Sequence, residues 1–239
     1  MSVLYSVEGG VATLTLNRPE SRNALNLEMC EQLVASAHES SSNPDVRLVL
    51  VRANGTVFCA GADLKERQGM SEAQVRERRM QGFAAYAALE ALPMPAIAVV
   101  HGPAVGSGCE IACACDFIVA TLHASFRTPE ALRGTIGATQ RLPRILGKRL
   151  AKDLMLTGRE LSAGEAREAG LVARLVPAAE LEANLEEIKK TILAAPQESL
   201  RLAKRCIERG VELDPAGALA AEVAAIEAQL ATGSWMGRK

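Results

Sequence analysis

The stretch Ala96-Ile97-Ala98-Val99-Val100-His101-Gly102-Pro103-Ala104-Val105-Gly106-Ser107-Gly108-Cys109-Glu110-Ile111-Ala112 decides the fold. Its first five residues are apolar with no polar alternation, the pattern of a strand buried on both faces. Three glycines and a proline then break the chain, and a helix is expected to start near Cys109. Phe117-Ile118-Val119-Ala120 reads as the next strand. Upstream the order repeats: an apolar run over 46–51 interrupted only by Arg47, a glycine-containing loop over 54–62, and a helix expected from Asp63. Nearer the start, 11–16 alternates as a strand and stops at Asn17-Arg18-Pro19, and 25–36 carries helical spacing behind Asn26 as its cap. From about residue 151 the chain reads as mostly helical, and 178–230 is rich in Ala, Leu, Glu and Lys with breaks at Pro196 and Asp214-Pro215. Strands that alternate with helices make this an α/β chain.

At 239 residues the chain can bury about 70% of its unfolded surface without covalent staples. Its 49% apolar and 23% charged residues are ordinary globular composition. A net charge of -1 and only seven aromatic residues argue against nucleic acid as a partner. The longest uncharged run, 91–109, contains Pro93, Pro95, Gly102 and Pro103. That run is too broken for a membrane span. No basic region followed by an apolar core opens the chain, so a cytoplasmic protein is expected. Among six cysteines there is no CxxC pair, and Cys109, Cys113 and Cys115 share one apolar segment. A pair at 109 and 113 is geometrically open to a metal, but His38, His101 and His123 are scattered elsewhere. No metal is expected, and the cysteines read as reduced, buried side chains.

The two glycine-rich loops are the chemical candidates, each read as running from a strand into the first turn of a helix. Such a junction leaves backbone N–H groups unpaired and suits an anion or an oxygen that becomes negative during a reaction. The plainer reading is that Gly61, Gly106 and Gly108 permit tight turns. A dinucleotide fingerprint fails, because Ile111 stands where a last small residue is needed, and Val105-Gly106-Ser107-Gly108 lacks the first glycine of a nucleophile elbow. Glu110, in the first turn of an apolar helix, and Glu130, after Pro129, are candidates for dividing proton transfer, although a first-turn glutamate is ordinarily a dipole partner. Asp63-Leu64-Lys65-Glu66 reads as a capping box. Lys65 and Arg67 are placed to meet phosphates or only solvent, and Arg76-Glu77-Arg78-Arg79 reads as a wetted helix face.

At these residues the chain resembles the enoyl-CoA hydratase/isomerase (crotonase) superfamily. Four stretches carry the likeness: Asn17-Arg18-Pro19 with Asn23-Ala24-Leu25-Asn26; Phe58-Cys59-Ala60-Gly61-Ala62-Asp63-Leu64-Lys65; Gly106-Ser107-Gly108-Cys109-Glu110-Ile111-Ala112 with Cys115-Asp116; and Pro129-Glu130 with Thr139-Gln140-Arg141-Leu142-Pro143. Leu156-Thr157-Gly158-Arg159 and Gly170-Leu171-Val172 extend it, so nearly the whole chain is covered. The resemblance implies an α/β crotonase (ClpP-like) fold, stacked ββα units in a superhelix, with a core over 1–176 and a helical oligomerisation region over 177–239. It implies an enoyl-CoA hydratase, a lyase of fatty acid and lipid metabolism. The N–H groups of Ala62 and Ser107 would hold the thioester oxygen, Ala60, Asp63, Leu64 and Lys65 the CoA, and Glu110 and Glu130 would carry the protons. CoA belongs to the acyl-CoA substrate, so no separate cofactor is implied, and a homotrimer or dimer of trimers is. The run from Ala62 to Arg67, with Met70-Ser71, is also similar to methylglutaconyl-CoA hydratases.

Three departures from the family pattern stand out. Ser107 occupies a position where glycine is usual. Only Gly137 and Ala138 separate Ile136 from Thr139, a loop shorter by about three residues than is usual for such a connection. The chain ends at Trp235-Met236-Gly237-Arg238-Lys239, where relatives continue into another helix. The short loop keeps two rivals open, an enoyl-CoA isomerase and a catalytically silent acyl-CoA-binding homologue.

Overall fold

Gly9 and Gly10 set the first turn of the computed structural model, which describes residues 1–231. Both take positive φ, 56° and 84°, the backbone that a two-residue hairpin turn with the right twist requires. They join β1 (Val3–Glu8) to β2 (Val11–Leu16) in antiparallel register, with Glu8 opposite Val11. Asn26 then caps α1 (Leu27–Ser42), its Oδ1 accepting from the N–H of Met29 at 3.0 Å. The apolar run around residue 48 forms β3 (Leu48–Ala53), parallel to β2.

No helix begins at Asp63. Residues 64–69 form successive turns, and α2 (Glu72–Glu90) starts later behind a complete capping box of Ser71 and Gln74. Of the box expected at Asp63 only half forms, the Glu66 N–H donating to Asp63 Oδ1 at 3.4 Å, because the groups of the other half are engaged elsewhere. The Asp63 N–H donates to the Leu25 carbonyl at 2.9 Å, and the Glu66 carboxylate accepts from the Leu27 N–H at 2.7 Å and from Arg78 Nε at 2.5 Å. The first glycine-rich loop therefore does not feed a helix.

The second one does. From β4 (Ala96–Val100) the chain passes through a short β5 (Pro103–Val105) into α3 (Ser107–Cys113), then β6 (Phe117–Thr121) and β7 (Ser125–Arg127). After it come α4 (Arg141–Thr157), β8 (Glu160–Ser162), α5 (Ala163–Glu168), β9 (Arg174–Val176), α6 (Leu181–Ala194), α7 (Gln197–Gly210) and α8 (Pro215–Ala231). The strands form a six-stranded sheet in the order β1-β2-β3-β4-β6-β9, parallel beyond the first pair, and a three-stranded sheet β5-β7-β8. One face of the large sheet packs under α1, α2 and α3, around Leu14, Leu16, Leu33, Val49, Leu89 and Ile111. The other face is closed by Leu181, Leu185 and Ile188 of α6 against Leu48, Leu50, Ile97 and Val99. No helix of the described residues is long and apolar enough to cross a membrane. The C-terminal run 235–239 lies outside the described residues.

Candidate active site

Backbone hydrogen bonds zip the two glycine-rich loops together. The Cys59 N–H donates to the Pro103 carbonyl at 3.2 Å and the Val105 N–H donates to the Cys59 carbonyl at 2.9 Å. Gly108 is required for this approach, since a Cβ there would stand 2.5 Å from the Cys59 carbonyl oxygen. On the far edge of the first loop, the Leu25 N–H donates to the Gly61 carbonyl at 2.8 Å and the Leu25 carbonyl accepts from Asp63. Neighbouring groups on an extended chain point to opposite sides. The Ala62 N–H thus faces away from Leu25 and has no backbone acceptor among the described residues. Ser107 is the first residue of α3, and its N–H is one of the donors a helix start leaves unpaired.

Ala62 and Ser107 line one cavity of about 240 Å³, together with Ala60, Leu64, Glu110 and Glu130. Six of the eight expected site residues therefore come together. Asp63 and Lys65 do not line the cavity. Asp63 turns to Arg18, forming an ion pair at 3.0 Å. Burial works against its charge, but hydrogen bonds from Arg18 and from the N–H groups of Glu66 and Lys65 outweigh it and hold its carboxyl below the usual range. Lys65 is exposed on the adjoining turn.

The two carboxylates have opposite surroundings. Glu110 is 7% exposed and receives Arg141 Nη1 at 2.9 Å. Glu130 is half-buried, and its Oε2 is buried without a hydrogen-bond partner among the described residues. Gly106, at φ 52°, and Gly137 lie against its side chain, a Cβ on Gly137 falling 2.9 Å from Glu130 Cγ. Burial pushes the Glu130 carboxyl above its ordinary value, and the Glu110 carboxylate adds to that push, with Arg133 and Arg79 opposing it in part.

The wetted face expected over 76–79 is corrected by Arg78, which is 4% exposed and donates to Glu66, to the Leu25 carbonyl and to Cys30. Arg79 reaches the short loop instead, donating to Thr135 Oγ1 at 2.8 Å and to the Ile136 carbonyl. A face of α2 made by Arg78, Gly82 and Tyr86 lines the cavity, and the spacing of four that aligns these three was present in the sequence. Arg141 and Tyr86 carried no signal by themselves. All six cysteines are free. Burial pushes the Cys59 and Cys113 thiols up to about 12, which leaves them neutral. Among the described residues no group of three metal-ligating side chains forms.

This arrangement sets Ala62 and Ser107 on one cavity with two carboxyls in unlike surroundings, one paired with Arg141 and one without a partner for its Oε2 among the described residues. A family model described as enoyl-CoA hydratase/isomerase matches residues 6–236. The short-chain-enoyl-CoA hydratase of Clostridium acetobutylicum is 36% identical over 225 residues, covering 92% of this chain and 86% of that protein. A crystal structure of enoyl-CoA hydratase from Bacillus anthracis superposes with a TM-score of 0.91 at 38% identity, over 95% of this chain and 90% of that one. A Thermobifida fusca YX structure solved in complex with CoA reaches a TM-score of 0.90 at 28% identity, over 97% of this chain and 93% of that one. The loops, the cavity between them and these likenesses agree: the fold is that of the crotonases, and the chain belongs to the enoyl-CoA hydratase/isomerase family.

Proposed function

We propose that the protein adds water across the 2,3 double bond of an enoyl-CoA thioester. The thioester oxygen accepts from the N–H groups of Ala62 and Ser107, which draws electron density from the double bond. Glu110, ion-paired with Arg141, takes a proton from water as the water oxygen bonds to the β-carbon. The electron pair of the double bond moves onto the thioester as an enolate, whose negative oxygen the two N–H groups stabilise. Glu130, held toward its protonated form by burial, gives its proton to the α-carbon. A proton then passes from Glu110 to Glu130 through solvent to reset the pair. The opposite surroundings of Glu110 and Glu130 beside one pair of donors carry this reading. The CoA portion runs along Ala60 and Leu64 at the mouth, with Asp63 holding that turn through Arg18 and Lys65 beside it, and no further cofactor takes part.

The division into a core over 1–176 and an oligomerising region over 177–239 belongs to the same proposal. Exposed Ile207 on α7, Val211 just after it, and Leu219, Val223 and Ile226 on α8 support a homotrimer or dimer of trimers, which sedimentation of the purified protein tests. A cytoplasmic location and a role in fatty acid and lipid metabolism belong to this proposal as well. A second reading, isomerisation by Glu130 without water, is favoured by the short loop, where Gly137 leaves no room for even a Cβ beside Glu130. Loss of enoyl-thioester absorbance from crotonyl-CoA, abolished by both E110Q and E130Q, supports the hydratase. Conversion of a 3-enoyl-CoA to the 2-enoyl isomer, with crotonyl-CoA untouched, overturns it in favour of the second reading. Binding of CoA thioesters without turnover of either substrate leaves the silent binder.

A further inference from the structure

We infer that Arg141 is a positioning residue that decides which of the two cavity carboxylates acts as the base; the inference rests on the two-carboxylate reading above. Arg141 is the first residue of α4, and three contacts on two other helices fix its guanidinium. Nη1 lies 2.9 Å from Glu110 Oε2 on α3, and Nη2 lies 2.6 Å from Glu90 Oε2 at the end of α2. The guanidinium carbon sits 5.7 Å from the ring centroid of Tyr86, also on α2. Tyr86 and Ser107 line the same cavity, so the cluster stands beside one of the two donor positions. The Arg141 side chain is 20% exposed and that of Glu110 8%, which keeps solvent screening of the pair weak.

The titratable groups around Glu110 are Arg141 from α4, Glu130 from the loop, Tyr86 from α2 and Cys113 from its own helix. Burial pushes the Tyr86 hydroxyl and the Cys113 thiol upward, so both stay neutral. Arg141 is the single cation in contact with Glu110 among the described residues, and it makes no ion pair with Glu130. Two neighbouring carboxyls left alone would share one proton with no fixed owner. A cation bound to one of them breaks that symmetry, so Glu110 serves as the base and Glu130 as the acid. Glu90, half-exposed at the outer end of the guanidinium, holds the fork in place from behind.

The test is the pH profile of kcat/KM for crotonyl-CoA hydration by wild type, R141Q, R141K and E90Q. R141Q is expected to lose about tenfold at pH 8, and the loss to deepen by about another tenfold by pH 6, because the base is then neutralised. R141K, which returns the charge without the fork, restores most of the shape, and E90Q changes it least. A loss in R141Q that is the same at every pH overturns the inference and leaves Arg141 a merely structural residue, as does an R141K profile no better than that of R141Q. Failure of the parent reading looks different: wild type hydrates nothing. In that event the Glu110 carboxyl signal of 13C-glutamate-labelled protein, assigned through E110Q, decides the matter. A titration of that signal at higher pH in R141Q than in wild type supports the inference, and an unmoved titration overturns it.

Discussion

The loop over 54–63 and the loop over 101–108 each deliver a backbone donor to the cavity, yet they hold it by different means. Ser107 is at a helix start, where unpaired N–H groups and the helix dipole come with the geometry of α3. Ala62 has no helix behind it. Its N–H is aimed by the bridge to Leu25, whose two hydrogen bonds engage Gly61 and Asp63 and leave Ala62 facing the other way. A helix N-terminus thus works beside an edge of extended chain, and the second depends on the rest of the fold more than the first. The Ala62 donor rests on Leu25 and, through Glu66, on the start of α1 and on Arg78 of α2.

Of changes to the two loops themselves, the largest effect is expected from Ser107→Pro. Proline suits the first position of a helix, so the fold should survive, while the donor is deleted and its place filled by the ring. Turnover should fall about 10²–10³-fold, the usual cost of losing one oxyanion donor, with the circular dichroism spectrum unchanged. If turnover survives, the α3 donor is not part of the chemistry. The seam between the loops comes next. Gly108→Ala sets a Cβ 2.5 Å from a backbone oxygen that cannot swing aside, and should cost about 1–3 kcal/mol in urea unfolding. Gly61→Ala meets the Val105 carbonyl at 3.1 Å and sits at φ 99°, so it should cost about 1–3 kcal/mol through backbone strain. Gly108→Ala should also part the two donors and lower turnover more than its stability loss explains, whereas Gly61→Ala should shift Ala62 alone.

Sequence reading reached the second loop further than the first for the same physical reason. An uninterrupted apolar strand, a glycine break and an apolar helix are local signals, and β4 and α3 follow them closely. Asp63-Leu64-Lys65-Glu66 carried an equally good local signal for a helix start, and tertiary partners overrode it: Leu25 took the N–H that the box needed and Arg78 took the carboxylate. Arg78 shows the converse. A run of charges predicts solvent, but one member of it is buried because its partners, Glu66 and the Leu25 carbonyl, arrive from elsewhere in the chain. The short strands β5, β7 and β8 were equally silent, since three residues carry no period and their pairing is entirely long-range. Glu110 and Glu130 were found through resemblance and position. Arg141, which tells them apart, was quoted within the matching run without a role, because only the folded chain brings α4 against α3.

The comparison can be sharpened through Glu130, which touches the second loop at Gly106. Its folded carboxyl is raised above the ordinary 4.5 by burial and by the charge of Glu110. A raised carboxyl favours folding while it is protonated, and that contribution is lost as pH rises from the unfolded value through the folded one. E130Q, which cannot ionise, should therefore be more stable than wild type near pH 8, with the advantage fading as pH falls toward 4. Thermal melts across that range check it. The same variant should lose about 10²–10⁴-fold in hydration, so stability and activity move in opposite directions. Melts that show no pH-dependent difference would mean that Glu130 is as well solvated as an ordinary surface carboxylate.

The smallest effect separates the two capping sequences that flank the first loop. Ser71→Ala removes the side chain that accepts from the Gln74 N–H and should cost about 1 kcal/mol, because α2 starts there. Asp63→Ala loses no helix cap, since no helix follows it, but it strands Arg18, whose Nη1 is bound to Asp63 at 3.0 Å and to the Ala24 carbonyl at 2.5 Å. The two variants therefore predict different signatures from similar sequence. Ser71→Ala should raise hydrogen exchange in the first turn of α2 and leave turnover nearly unchanged. Asp63→Ala should loosen residues 60–66, weaken the hold on the Ala62 donor and lower kcat more than it lowers stability. If both variants act alike, the first loop draws its geometry from α2 after all, and the contrast with the second loop reduces to where each helix begins.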